Sequence, residues 1–131
     1  MIFVDSNVPM YLVGGPHPLK NDAQRWLEQL AAQRERLVTD AEVMQEILHR
    51  YAAINRRTLI QSAFDTVLGI VDQVLPVDLA ATQRAKEILF SRRRLSARDA
   101  LHLAVMQQHG IDRILTFDSG FEGVPGITRL S

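Results

Sequence analysis

Two acidic residues lie where the chain leaves predicted buried strands, and carboxylates in such places can bind a metal. Asp5 follows the apolar run Ile2–Val4, and Asp118 follows Ile114–Phe117. Short runs of this kind are typical of strands in a parallel sheet that is covered on both faces. In open sheets of this type, ligands bind outside the carboxyl ends of the strands. Because two carboxylates meeting there would repel each other, we expect a hard divalent cation between them.

A third acid, Asp99, stands at the start of a predicted helix from Ala97 to about His109. The segment Ser96-Ala97-Arg98-Asp99 matches a capping box, and the helix dipole also favours an acid at this position. Both effects would explain Asp99 structurally. The same position nevertheless places Asp99 at the tip of the helix, level with the strand ends, so we include it in the candidate site.

The fourth acid comes from a helix that is predicted from Thr39 to about Ile54. Thr39-Asp40-Ala41-Glu42 matches a capping box, with Thr39 as the N-cap and Glu42 at N3. This explains Glu42, whereas Glu46 adjoins the core-facing stripe, where an unpaired carboxylate would be costly. We therefore predict Glu46 in the site and leave open whether Glu42 contributes. The predicted stripe consists of Val43, Met44, Ile47, Leu48 and Tyr51.

Predicted strands alternate with predicted helices along the chain, which indicates a three-layer α/β/α fold. We expect a central, mostly parallel sheet of about four to five short strands, in which Pro76 indicates either that the third strand lies at an edge or that the strand ends there. The helix from about Thr58 to Asp72 has a wide apolar face. Together with the helix that contains Trp26, this face is either a surface for a homodimer or for a segment of a partner protein, or simple core packing.

The composition is that of one globular domain over residues 1–131. Hydrophobic residues make up 47% of the chain and charged residues 23%, and the length suffices to bury a core. No apolar run approaches the roughly 20 residues that cross a bilayer, and no signal-peptide pattern is present. Cysteine is absent, which excludes disulfides and thiolate metal sites and is consistent with a reducing compartment. We therefore expect a cytoplasmic protein.

The overall charge gives no general attraction to nucleic acid, because 15 Lys and Arg residues balance 15 Asp and Glu residues. Any nucleic-acid contact must therefore be local. Arginines suited to binding the phosphates of a substrate precede Asp99, namely Arg92, Arg93, Arg94 and Arg98. The alternative is a solvated loop in which Arg98 pairs with an acid.

Several other chemistries lack their required residues. Phosphoaspartate mechanisms need a lysine close to the acid, and neither Lys20 nor Lys86 follows a predicted strand. The chain also has no phosphate-binding loop, dinucleotide fingerprint, zinc-protease motif or hydrolase nucleophile elbow. The four histidines, His17, His49, His102 and His109, are more readily explained as satisfied surface or core residues than as ligands.

Three segments carry a resemblance to a known family: Phe3-Val4-Asp5-Ser6-Asn7, Leu95-Ser96-Ala97-Arg98-Asp99-Ala100-Leu101-His102-Leu103-Ala104, and Leu115-Thr116-Phe117-Asp118-Ser119-Gly120-Phe121. In this order they resemble the PIN-domain ribonucleases of the VapC type, the toxins of type II toxin–antitoxin pairs. The resemblance spans essentially the whole chain. It implies a parallel sheet flanked by helices and an acidic pocket that binds Mg²⁺ or Mn²⁺. It also implies an RNA substrate and a small antitoxin partner, and we expect a homodimer.

The resemblance also assigns residues. Asp5, Asp99 and Asp118 match acids of the family, and Glu46 best matches its helical glutamate. Asn7 and Thr116 match polar positions that orient the acids or a metal-bound water. Many members carry a further acid two residues after the last of these acids, where this chain has Gly120. The resemblance therefore does not imply a second tightly held metal ion.

These observations lead to a hypothesis and two alternatives. We hypothesise that the four carboxylates hold one or two divalent ions, which activate a water for in-line attack on an RNA phosphodiester. One alternative is an inactive binding module with the same fold. The other is a metal-dependent DNA nuclease or phosphatase that uses the same acids, since the sequence does not separate RNA from DNA.

Overall fold

A five-stranded, fully parallel sheet forms the centre of the computed structural model, which describes all 131 residues. The strands are β1 (Ile2–Val4), β2 (Leu37–Asp40), β3 (Gln73–Leu75), β4 (Arg113–Leu115) and β5 (Thr128–Leu130). The helices are α1 (Asn7–Val13), α2 (Lys20–Ala32), α3 (Ala41–Ala53), α4 (Ile60–Ile70), α5 (Leu79–Ser91) and α6 (Ala97–Gln108), with 3₁₀ turns at Arg57–Leu59 and Ser119–Phe121. The strand order is β3-β2-β1-β4-β5, so β3, which Pro76 directly follows, lies at an edge, as expected.

Alternating side chains of the strands bury both faces of the sheet. Phe3, Val38 and Ile114 belong to a core that also contains side chains of α3, α4, α5 and α6. Ile2 and Val4 point the other way and pack with side chains of α1 and α2. This alternation follows from the two-residue period of a strand, and it produces helical layers on both faces. The predicted three-layer α/β/α fold is confirmed.

Helix α6 is central, as its apolar character predicts. Its buried residues are Ala100, His102, Leu103, Ala104, Val105 and Met106. The Ser96 hydroxyl caps the first turn by accepting a hydrogen bond from the Asp99 N–H (3.1 Å). Gly110 stops the helix in a left-handed conformation with φ of 66°. None of the six helices has both the length and the apolar character needed to cross a membrane.

The capping box predicted at Thr39 is wrong. Strand β2 continues to Asp40, and Asp40 is the N-cap of α3, because its carboxylate accepts a hydrogen bond from the Val43 N–H at 2.9 Å. The Thr39 hydroxyl instead donates to the carbonyl oxygen of Val4 (2.8 Å) and joins β2 to β1. Glu42 therefore stands at N2, half-buried, without the capping role that the sequence suggested.

Core packing accounts for most of the apolar face of α4. Ala63 and Val67 are buried, and Phe64 packs against the main core. Leu68 is the exception, since 56% of it is exposed. Leu48 of α3 was predicted on the core-facing stripe but is 43% exposed. The buried face of α3 is therefore narrower than the sequence indicates.

Two glycine-to-alanine changes should shift stability in opposite directions. Gly110→Ala forces a Cβ into the left-handed region and should lower the free energy of unfolding by about 1 kcal/mol. Gly69→Ala lies in α4 with open space around the new Cβ and should raise it by up to about 1 kcal/mol. Urea denaturation of both variants checks this, and the prediction fails if the two shifts have the same sign.

Candidate functional site

The candidate site lies where the order of the strands reverses. Strand β1 has β2 on one side and β4 on the other, and the chain passes through β2 and β3 before it returns to β4 and β5. Asp5 directly follows β1, and Thr116 directly follows β4. A crevice opens at the carboxyl ends of the strands at such a switch point, which is the usual ligand-binding place in parallel sheets.

A cavity of about 530 Å³ occupies this crevice. The structure brings the four predicted acids, Asp5, Glu46, Asp99 and Asp118, to its lining. Asn7 and Arg98 also line it, whereas Glu42 does not. A second cavity of about 340 Å³ is lined by the three arginines Arg92, Arg93 and Arg94 together with Gly120. The acids thus come from the end of β1, from α3, from α6 and from the segment after β4, four parts of the chain that are distant in sequence.

The carboxylate of Asp5 is held at both oxygens. Oδ1 accepts a hydrogen bond from the Ser6 N–H (2.7 Å), and Oδ2 accepts one from the Thr116 hydroxyl (2.8 Å). The same hydroxyl accepts hydrogen bonds from the Asn7 side-chain amide (3.0 Å) and the Asp118 N–H (3.1 Å). One donor and two acceptors exhaust the capacity of Thr116, so Asp5 has a fixed orientation.

Asp99 and Asp118 are less constrained. Ser96 caps the backbone of Asp99, but no reciprocal hydrogen bond runs from the Ser96 N–H to the Asp99 carboxylate, so the predicted capping box is only half formed. Burial, followed by the negative charges of Asp5 and Asp118, raises the pKa of Asp99 to about 6. Burial is the larger cause, and the neighbouring carboxylates of Asp5 and Asp118 add to it.

Gly120 leaves room for the carboxylate of Asp99. A Cβ at this position would lie 2.9 Å from Asp99 Oδ2 and 3.5 Å from Asp118 Oδ1. The first of these contacts is shorter than van der Waals packing allows, so any side chain at 120 would displace Asp99. The N–H of Gly120 also donates a hydrogen bond to Asp118 Oδ1 (3.0 Å).

Two further buried residues were missed by the sequence reasoning, namely Asp40 and His102. The imidazole of His102 lies between carboxylates, with Nδ1 2.8 Å from Asp40 Oδ2 and Nε2 2.9 Å from Glu46 Oε1. The expectation of a satisfied core histidine describes its packing but not its proximity to the site. Asp40 is the last residue of β2 and follows the apolar pair Leu37-Val38 closely, so the strand-end signal that identified Asp5 could have found it.

The buried charges of this cluster stabilise one another. Burial alone lowers the pKa of His102, but hydrogen bonds to Asp40 and Glu46 outweigh it and raise the pKa well above its ordinary value. Burial raises the pKa of Glu46, yet the hydrogen bond and the positive charge of His102 lower it overall. Burial keeps the pKa of Asp5 raised despite the opposing charge of His102. The imidazolium therefore neutralises only part of the carboxylate charge.

The donor atoms at the cavity fit a hard divalent cation. The four acids that line it offer carboxylate oxygens, which are the ligands that Mg²⁺ and Mn²⁺ prefer. Protein groups satisfy every buried side-chain nitrogen and oxygen, so the buried carboxylates are already oriented before any ion arrives. A bound cation would also relieve the repulsion that raises the pKa of Asp99.

Comparisons with known proteins identify the family. The PIN domain family profile matches residues 2–127. Ribonuclease VapC13 of Mycobacterium tuberculosis (strain ATCC 25618 / H37Rv) is 58% identical over 131 residues, which cover 100% of each chain. The chain belongs to the PIN-domain family, and its resemblance to VapC ribonucleases is confirmed.

Solved structures support the same fold. The toxin VapC20 of Mycobacterium tuberculosis, which cleaves the sarcin-ricin loop, superimposes with a TM-score of 0.78 and 24% identity, over 97% of this chain and 98% of that one. The toxin–antitoxin complex from Klebsiella pneumoniae gives a TM-score of 0.69 and 19% identity, over 98% of this chain and 96% of that one. At these identities the likeness establishes the fold.

Replacing Asp99 by Asn should stabilise the metal-free protein at neutral pH. The pKa of Asp99 rises from 3.8 to about 6 on folding, so ionised Asp99 costs stability above pH 6, and the cost disappears as the pH falls towards 3.8. Because Asp99 is only partly buried, solvent screens part of this cost. We expect a gain of about 1–2 kcal/mol at pH 7.5 and little gain near pH 4.

Urea denaturation in EDTA at both pH values measures this difference. The exposed Asp72→Asn variant is the control and should differ little from the wild type. A gain for Asp99→Asn that is equal at the two pH values would contradict the charge-repulsion explanation.

Proposed function

We propose that this protein is a VapC-type endoribonuclease toxin that hydrolyses phosphodiester bonds of RNA with Mg²⁺ or Mn²⁺ as its cofactor. One observation carries the proposal: four acids from distant segments line one cavity in a chain that is 58% identical, over its full length, to a VapC ribonuclease. The family name supports the RNA substrate, and the oxygen-rich cavity supports the metal.

In this proposal Asp5, Glu46, Asp99 and Asp118 hold the metal. When bound, the metal supplies an activated water and stabilises the charge that develops on the phosphate and the leaving oxygen. Asp5 and Glu46 are buried and hydrogen-bonded, so they provide fixed oxygens. Asn7 and Thr116 act by orienting Asp5 and the backbone of the Asp118 segment. Asp99 and Asp118 are more accessible and can adjust to the ion and the substrate.

The arginines near the cavity are suited to hold RNA phosphates on either side of the scissile bond. Arg98 lines the acidic cavity, and Arg92, Arg93 and Arg94 line the neighbouring one. None of these four side chains forms an ion pair with a carboxylate in the structure, so the alternative in which Arg98 pairs with an acid is not observed. Their charge is therefore available to a ligand, and guanidinium groups suit phosphate geometry.

The proposal includes partners and a location. A small antitoxin would neutralise the toxin, as the similarity to a toxin–antitoxin complex suggests. We also propose that the protein forms a homodimer and that it acts on RNA in the cytoplasm. Exposed apolar side chains such as Leu68 and Phe90 are available for such contacts.

An Asp5→Asn variant tests the activity. Purified wild type should cleave a pool of cellular RNAs with Mg²⁺ or Mn²⁺ but not with EDTA, and Asp5→Asn should be at least about 100-fold slower, because a central metal ligand loses its charge. Asp72→Asn is exposed and should cleave at the wild-type rate. Gel analysis of the products gives the rates.

The outcome also separates the alternatives. Cleavage that is unaffected by EDTA, or equal in Asp5→Asn, would contradict the metal-site proposal. Preferential cleavage of matched single-stranded DNA would favour the DNA nuclease. No cleavage by wild type that nevertheless binds an antitoxin would favour the inactive binding module.

Replacing Arg93 and Arg94 together by Gln should weaken substrate binding more than chemistry. We expect a KM several-fold higher with a nearly unchanged kcat, and a slope of log affinity against log salt that is shallower by about 0.7 for each phosphate that the variant no longer binds. Arg57→Gln, on an exposed 3₁₀ turn, serves as the control. Steady-state kinetics on one RNA at several salt concentrations measures both quantities, and an unchanged salt slope would contradict the assignment.

A further inference from the structure

A buried histidine of α6 lies behind the acidic cavity and forms hydrogen bonds to α3 and to the N-cap of α3. His102 of α6 is 0% exposed and does not line the cavity, whereas Glu46 does. Its Nδ1 lies 2.8 Å from Asp40 Oδ2, and its Nε2 lies 2.9 Å from Glu46 Oε1. Both partners are carboxylates, which accept hydrogen bonds when ionised, so each ring nitrogen donates one. The imidazole ring is therefore fixed at both nitrogens.

Asp40, the partner of His102 that does not line the cavity, is fixed as well. Asp40 is fully buried, and its second oxygen, Oδ1, accepts the N-cap hydrogen bond from the Val43 N–H at 2.9 Å. Asp40 therefore cannot turn without uncapping α3. Glu46 is also on α3. The Asp40 cap, the His102 imidazole and helix α3 therefore together determine where the Glu46 carboxylate lies. Oε1 of Glu46 forms the hydrogen bond to His102, and Glu46 also lines the cavity.

The geometry allows a competing role for the histidine. One ring nitrogen of His102 and one oxygen each from Asp5 and Glu46 lie within 4.8 Å of one another, so a metal could in principle use all three. Two observations disfavour this. The Nε2 atom already lies at hydrogen-bond distance from Glu46 Oε1 (2.9 Å), so a metal at Nε2 would have to displace this hydrogen bond, and the ring lies outside the cavity lining. Hard cations also prefer oxygen ligands.

We propose that His102 is a positioning residue: it does not ligate the metal, but directs Glu46 at the cavity through Nε2 while Asp40 holds it through Nδ1. The inference rests on the proposed metal site and deepens it. Removal of a residue that forms a hydrogen bond to a metal ligand typically lowers metal affinity by about 10–100-fold.

Two substitutions of His102 separate its two hydrogen bonds. The amide nitrogen of Gln falls near the position of Nε2, so His102→Gln keeps a donor to Glu46. The amide nitrogen of Asn falls near Nδ1, so His102→Asn keeps a donor only to Asp40. Both variants remove the same positive charge. We expect His102→Asn to weaken Mn²⁺ binding by about 10–100-fold and His102→Gln to weaken it far less.

Titration with Mn²⁺ followed by electron paramagnetic resonance measures these affinities. An equal decrease in the two variants, or no decrease in either, would overturn the proposal. The exposed His109→Gln variant of the residue that follows α6 should bind Mn²⁺ as the wild type does.

A second pair of variants tests the hydrogen bond between His102 and Asp40 without changing the histidine. Asp40 and Asp78 are both N-caps of 13-residue helices, and Asp78 accepts a hydrogen bond from the Ala81 N–H at 2.8 Å. Asp40→Asn and Asp78→Asn remove the same capping charge, but only the first removes the charged partner of His102. We expect weaker Mn²⁺ binding in Asp40→Asn alone, and equal binding in the two variants would contradict the role of Asp40.

The wild-type protein gives a test that does not depend on whether a variant folds. Pulsed electron paramagnetic resonance of bound Mn²⁺ detects the ¹⁴N coupling of a directly ligated imidazole. We expect no such coupling, and a coupling from a histidine nitrogen would overturn the positioning role. Wild type that binds no Mn²⁺ would overturn the proposed metal site together with this inference, whereas equal Mn²⁺ affinity in wild type and His102→Asn would overturn this inference alone.

Discussion

Repulsion between carboxylates that share one end of the sheet is the constraint on which this structure depends. Asp5, Glu46, Asp99 and Asp118 line one cavity, and Asp40 lies buried behind it. Buried charges of one sign are costly unless they are paired or hydrogen-bonded. The protein meets part of this cost with the His102 imidazolium and with hydrogen bonds from Thr116 and Ser6. In the proposed function, the remaining negative charge is what would attract a cation to the cavity.

The parallel sheet creates this constraint through its connectivity. Central strands β1 and β4 end side by side, so the residues that follow them cannot avoid each other. The N-terminal ends of α3 and α6 meet the same edge and add the acids of two more segments. If the proposed metal site is correct, stability and function are opposed at this edge, since the arrangement that raises the pKa of Asp99 is the one that would hold the metal.

The division between rigid and adjustable acids follows from burial. Asp5 and Glu46 are buried, and each is fixed by a partner of its own, Thr116 and His102 respectively. Asp99 and Asp118 lie closer to solvent. Under the proposed function, Asp5 and Glu46 would offer fixed oxygens to a metal, and Asp99 and Asp118 would adjust to a substrate.

The sequence by itself determined the layered α/β/α fold, because strand and helix periodicity and the caps at Asp78 and Ser96 are local properties. It also identified the four candidate acids, because Asp5, Asp99 and Asp118 stand near strand or helix ends and Glu46 adjoins the core-facing stripe of α3. Only the tertiary structure decided that Asp40 rather than Thr39 caps α3, since β2 extends to Asp40 by pairing with β3. Only the tertiary structure placed His102 between Asp40 and Glu46, because contacts between residues 56 and 62 positions apart depend on how helices pack and leave no periodic signal.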